Sequence, residues 1–139
     1  MKDSLKAGLT GTLAFPVTAS KTVPHLYPEA PEFAPMPAVL ATGYLVGLVE
    51  WACMRLVVPH LDWPREQSVG IDIRLSHQAP TPPGLTVTVR ATLLRVDGRR
   101  LHFEVSAHDG VDEVAKGTHD RAVIDTARFA EKSAAKLSR

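Results

Sequence analysis

Cys53 is the chain's single cysteine, so no internal disulfide can form and the fold has to hold by packing. Charge of one sign is missing as well. Sixteen Lys and Arg stand against fifteen Asp and Glu, a formal net charge of +1, and the basic residues are scattered. That leaves no basic face of the kind nucleic acid needs, and nucleic acid is not expected as a partner. No apolar run reaches the roughly 20 uninterrupted residues of a membrane span. Glu50 and Arg55 break up the one candidate, so a membrane role is not expected. At the amino terminus, "GLTGTLAFPVTAS" is too polar for a signal peptide and contains Pro16, which points to a cytoplasmic location. The histidines His25, His60, His102, His108 and His119 lack metal-ligand spacing, and neither a metal nor another cofactor is expected. Also absent are a G-x-S-x-G elbow and a phosphate-binding Gly-Lys-Ser/Thr, which disfavours elbow-type serine hydrolases and P-loop enzymes.

What remains is apolar substance. The 139 residues are 45% hydrophobic and 22% charged, enough for one compact domain over 1–139 with a real core. A short strand is expected around Thr12 to Thr18. The segment "VPHLYPEAPEFAPMPAV" then holds five of the eleven prolines and reads as a loop or lid with short turns. An apolar helix is predicted from about Pro37 to Val58, stopped by Pro59. From Ser68 to Ile124 the pattern alternates like sheet. "SVGIDIRLSHQ" puts Val69, Ile71, Ile73, Leu75 and His77 on one face, taken as the core face. Turns are expected at "PTPPG", at Asp97-Gly98 and at Asp109-Gly110, with Leu101, Phe103, Val105 and Ala107 sharing a face between the last two. The charged, Ala-rich segment 125–139 reads as a short helix or a mobile tail.

One strand, a long helix and four short-linked strands make an α+β domain whose curved antiparallel sheet of about five strands wraps the helix. Such a sheet keeps open edges. Pairing them across a two-fold axis covers them, so a homodimer is expected.

The helix "ATGYLVGLVEWACMRLV" is apolar on nearly every side and carries Glu50 near its middle. A helix of that kind is normally buried, and a buried carboxylate needs a partner. Its neighbours one turn on are Cys53 and Met54, so the partner has to come from outside the helix. Two candidates face that layer. His77 closes the first strand's core row, where a Glu50 to His77 hydrogen bond would make a general-base or nucleophile pair. Arg121 alternates with Ala115, Gly117, His119 and Val123 on the last strand and could neutralise Glu50 as a structural ion pair. Thr42 lies eight residues before Glu50, or about 12 Å along a straight helix, so contact between them needs the backbone to leave helix at Thr42-Gly43. The plain reading of Thr42 is a helix cap, that of Gly43 and Gly47 is close packing, and that of Cys53 is a buried core thiol.

With "HLYPEAPEFA", "PPGLTVTV", "VSAHDGVDE" and "GTHDRAVI", this helix resembles the fluoroacetyl-CoA thioesterase type of hot-dog-fold enzyme from about Lys21 to Ile124. The resemblance implies a hot-dog homodimer that binds acyl-CoA near the subunit interface and hydrolyses the thioester without a cofactor. The family's catalytic threonine, glutamate and histidine fall on Thr42, Glu50 and His77. Glu50 would attack the thioester carbonyl or activate water, His77 would move protons and Thr42 would orient the carboxylate. By the same matching, Gly70 and Arg121 are substrate-contacting positions, and Val23, Phe33 and Met36 line the lid over the acyl group. The fluoroacetyl-specific pattern has aromatic residues where this chain has Met36 and Leu40. Another reading of the same fold is a module that binds an acyl-CoA or acyl-carrier thioester without cleaving it.

Overall fold

The computed structural model describes residues 1–139. Its elements are β1 (Thr10–Pro16), α1 (Thr42–Val57), β2 (Glu66–His77), β3 (Thr86–Asp97), β4 (Arg100–His108), β5 (Glu113–Asp125) and α2 (Thr126–Ala134). The expected α+β domain is present. One antiparallel sheet runs in the order β1-β3-β4-β5-β2, so β1 and β2 are its two edges. α1 packs against both edges and against β3, which requires the sheet to curl around it. No helix is long and apolar enough to cross a membrane.

The expected helix start at Pro37 is corrected to Thr42. Ahead of it the backbone donors are spent on other segments: Leu40 N–H on the Thr81 carbonyl at 2.8 Å and Ala41 N–H on the Lys21 carbonyl at 3.1 Å. Ala41 is extended, so the cap position belongs to Ala41 and Thr42 is the first helical residue. Leu45, Leu48, Val49, Ala52, Cys53 and Val57 of α1 are buried. They join Val87, Val89, Ala91 and Leu93 of β3 and Leu101, Phe103, Val105 and Ala107 of β4 in one core. Each fully buried aliphatic or Phe side chain contributes about 1.5–3 kcal/mol of transfer free energy.

The alternation expected along β2 is only half correct. The register against β5 shifts between Gly70 and Asp72, leaving Ile71 as the extra residue of a β-bulge. A one-residue slip exchanges the faces. Beyond the bulge Ile73, Leu75 and His77 pair with His119, Gly117 and Ala115, whereas before it Ser68 and Gly70 pair with Val123 and Arg121. Val69 and Ile71 therefore leave the inward row, and Ser68 and Gly70 take their places. The three expected turns are present, each with a glycine at positive φ, Gly84 at 102°, Gly98 at 60° and Gly110 at 90°, a conformation that disfavours a side chain. The segment after Asp125 begins as helix, with the Asp125 carboxylate accepting from Arg128 N–H at 3.1 Å.

One face of the molecule is left bare. Gly43, Gly47 and Trp51 of α1 are exposed, and so are Ile71 and Ile73 on the open edge strand β2.

Candidate active site

The start of α1 and the end of β2 meet. There the Thr42 hydroxyl lies 2.7 Å from His77 Nδ1. Backbone bonds hold both sides of the junction: Leu40 to Thr81 and Ala41 to Lys21 before the helix, and Gln78 N–H to the Val114 carbonyl at 2.7 Å after His77. Thr81 is in turn fixed by donating its hydroxyl to buried Asp109 at 2.9 Å. The Asp109 carboxyl is held below its ordinary range by the backbone N–H groups of Asp112 and Val111 and by Thr81, which outweigh its desolvation. His77 Nε2 is buried and has no partner within this chain. Val23 faces this pair across a cavity of about 250 Å³ that Val39, Leu40 and Pro80 also line.

Glu50 forms a second cluster about two turns further along the helix. Its side chain is 42% exposed, so the burial expected for it is not met within one chain; the bare face of α1 leaves it open. The expected Glu50 to His77 hydrogen bond is also absent. Glu50 Oε2 instead accepts from Arg121 Nη1 at 3.1 Å, the ion pair expected from the strand alternation. α1 is regular from Thr42 onward, so eight residues of rise keep the Thr42 hydroxyl away from Glu50 and on His77. Gly70 lets the carboxylate approach β2, since a Cβ there would lie 3.1 Å from Glu50 Oε2 and 3.3 Å from His119 Cε1. Glu50, Gly70, His119, Val46 and Ile73 line a cavity of about 420 Å³.

Arg121 is 2% exposed and each of its three guanidinium nitrogens donates to the protein. Nε donates to Ser68 Oγ at 2.8 Å, Nη2 to the Ser68 carbonyl at 2.7 Å, and Nη1 to both Glu50 and His119 Nε2. It stands behind the carboxylate. His119 and Ser68 were not legible as site residues. Alternation put His119 beside Arg121, but only the bulge turns Ser68 inward.

Of the lid positions, Phe33 is half-buried and stacks on Tyr27 with ring centroids 6.0 Å apart, while Met36 is 47% exposed. Leu40 is wholly buried and belongs to the core. Gly43 packs close to Leu26, whereas Gly47 meets nothing and lies on the bare face. Burial pushes the Cys53 thiol up to about 12, so it is a protonated core residue. His102 is largely covered and bonds Asp120 at 2.9 Å.

Five antiparallel strands curled around one helix, with a carboxylate on the helix and a Thr–His pair at its start, are the architecture of a hot-dog thioesterase, a thioester hydrolase. A thioesterase superfamily member from Thermus thermophilus, 25% identical, has this fold with a TM-score of 0.81, covering 95% of this chain and 92% of that one. A family model described as fluoroacetyl-CoA-specific thioesterase matches residues 17–127, and the chain belongs to that family. It is 57% identical to the fluoroacetyl-CoA thioesterase of Streptantibioticus cattleyicolor over 129 residues, 93% of this chain and 92% of that protein. A crystal structure of the fluoroacetyl-CoA thioesterase FlK superposes with a TM-score of 0.93 at 55% identity, covering 96% of this chain and 98% of that one. A variant of FlK solved with fluoroacetate and CoA superposes with a TM-score of 0.87 at 57% identity, covering 90% of this chain and 99% of that one.

Proposed function

We propose that this hydrolase cleaves short-chain acyl-CoA thioesters, fluoroacetyl-CoA among them, to the free acid and CoA in the cytoplasm, using Thr42, His77 and Glu50. The observation that carries the reading is the 2.7 Å contact between Thr42 Oγ1 and His77 Nδ1, which leaves Nε2 as the one uncommitted ring nitrogen. A buried nitrogen without a partner is poised for a proton-transfer contact. Glu50 supplies the carboxylate that attacks the thioester carbonyl or activates the water that does so. Arg121 holds that carboxylate in place through Nη1.

Within one chain the two halves are apart. The bare strip of α1 and the free edge of β2 support a homodimer in which a second copy covers both and brings the Thr42–His77 pair toward Glu50 of the partner subunit. Val23, Phe33 and Met36 then form the lid on the acyl side, and Gly70 lets substrate and carboxylate approach. Exposed, flexible Met36 closes a lid less sharply than an aromatic ring. Acetyl-CoA is therefore expected to be cleaved as well.

Thiol release from fluoroacetyl-CoA and acetyl-CoA, with Glu50→Gln as control, tests the chemistry. Release from both, abolished in a folded Glu50→Gln protein, is expected; full activity in that variant would sink the mechanism. Mixing Glu50→Gln and His77→Asn protomers tests the shared site. Each mixed dimer then keeps one intact site, and about a quarter of wild-type activity returns after random exchange. If each site lies within one chain, none returns.

A further inference from the structure

We infer that His119 is a positioning residue for Glu50: as a neutral imidazole protonated on Nδ1, it holds Arg121 in the one orientation that aims Nη1 at the carboxylate. The inference rests on the proposed role of Glu50 and adds a residue to it. It follows from hydrogen-bond accounting. An arginine has five N–H donors and no acceptor, and it stays protonated in a protein. His119 Nε2 lies 3.1 Å from Arg121 Nη1, so this nitrogen has to be the acceptor and carries no proton. The ring's one proton is then on Nδ1, which faces a carbonyl, that of Asp72, at 2.8 Å. Asp72 is the residue at which β2 resumes its register after the bulge at Ile71.

A chain of contacts thus runs from the bulge to the reacting carboxylate: Asp72 carbonyl, His119, Arg121, Glu50 Oε2. His119 is buried, with Phe103 stacked near it at 6.4 Å between ring centroids, so the imidazole is held on its face as well as at both nitrogens. With both nitrogens engaged it has no free position for general acid or base work, unlike His77. Ser68 holds the other side of the guanidinium through Nε and Nη2, which leaves Nη1 as the group that His119 shares with Glu50. Loss of the His119 acceptor would leave the planar guanidinium held only along its Ser68-bound edge, about which it could tilt and carry Nη1 off Glu50.

The test compares His119→Gln with His119→Phe. The glutamine side chain can present an oxygen to Arg121 in place of Nε2, whereas phenylalanine keeps a ring of similar shape and offers no acceptor. Expected for His119→Phe is a fall in kcat of about ten- to a hundredfold, the scale of a hydrogen bond to a charged group, with KM changed less than about threefold. His119→Gln should recover most of kcat at matched thermal stability. Equal kcat losses in both variants, or a loss in KM alone, would overturn the assignment. Side-chain 15N spectra of the wild-type imidazole at pH 7 provide a readout that needs no turnover. The expected pattern is the neutral Nδ1–H form; an Nε2–H form or an imidazolium would refute the network whatever the activity. Absence of thiol release from the wild type would count against the hydrolase reading alone, and the 15N spectra would still decide the network.

Discussion

Gly70 lies where one added carbon would meet Glu50 and His119. A Cβ at this position would stand 3.1 Å from Glu50 Oε2 and 3.3 Å from His119 Cε1, closer than ordinary contact. Glu50 is tied to Arg121 and His119 is held at both nitrogens, so the carboxylate has to give way. Misplacing a reacting group by a fraction of an ångström to one ångström costs up to about a hundredfold in rate. Gly70→Ala is therefore expected to lower kcat about ten- to a hundredfold while the thermal midpoint barely moves; unchanged kcat would show that Glu50 tolerates displacement. His119 also links the site to stability. Burial, helped by the charge of Arg121, lowers its proton affinity below the ordinary value of 6.5. The unfolded chain then binds the proton more readily than the folded one. The contribution of neutral His119 is complete above pH 6.5 and is lost as pH falls through the depressed folded value. Urea midpoints at pH 7.5 and 5.5 should fall further for wild type than for His119→Gln, and equal falls would contradict the linkage.

At the scale of elements, β5 depends on small residues where β2 crosses close to it. A Cβ at Gly117 would lie 1.8 Å from the Arg74 carbonyl oxygen and 3.0 Å from Leu75 Cα. These are backbone atoms of the paired strand, so no rotamer change relieves the clash. Gly117→Ala is expected to cost about 3 kcal/mol or more, read as a lowered urea midpoint. A loss below about 1 kcal/mol would mean that β2 shifts freely against β5. The same pairing explains where sequence reading of β2 went wrong. Alternation with period two has no means of registering the extra residue at Ile71, and it therefore assigned Val69 and Ile71 inward. The bulge is what turns Ser68 toward Arg121 and frees the Asp72 carbonyl for His119.

Across the whole molecule, Val46 and Glu50 of α1 share a cavity with Ile71 and Ile73 on the unpaired edge of β2, and Trp51, Ile71 and Ile73 are uncovered. An edge strand with exposed isoleucines is a template for pairing, and a closed two-fold arrangement removes it. Sedimentation of the wild type should give twice the 15.1 kDa of one chain. Ile73→Lys on that edge should shift the mass toward a monomer and lower turnover together with it. A fully active Ile73→Lys monomer would rule out a site shared between copies.

How far the sequence alone reached differs between fold and site. An unbroken apolar run determined the long helix, and alternation determined the four strands after it and the inward rows of β4 and β5, because burial of those side chains is what such patterns encode. The burial of Cys53 was legible for the same reason, whereas the sequence left His77 and Arg121 both open as partners for Glu50, and the structure gives Arg121. The amino acids that could do chemistry, Thr42, Glu50 and His77, were visible as residue types. Their grouping was not. Leu40 and Ala41 spend their backbone donors on distant segments, which starts the helix at Thr42 and points its hydroxyl at His77. Tertiary structure alone decided that Glu50 sits apart, half open and backed by Arg121 and His119, because the bulge, the strand register and the bare helix face arise from pairing between segments far apart in the chain.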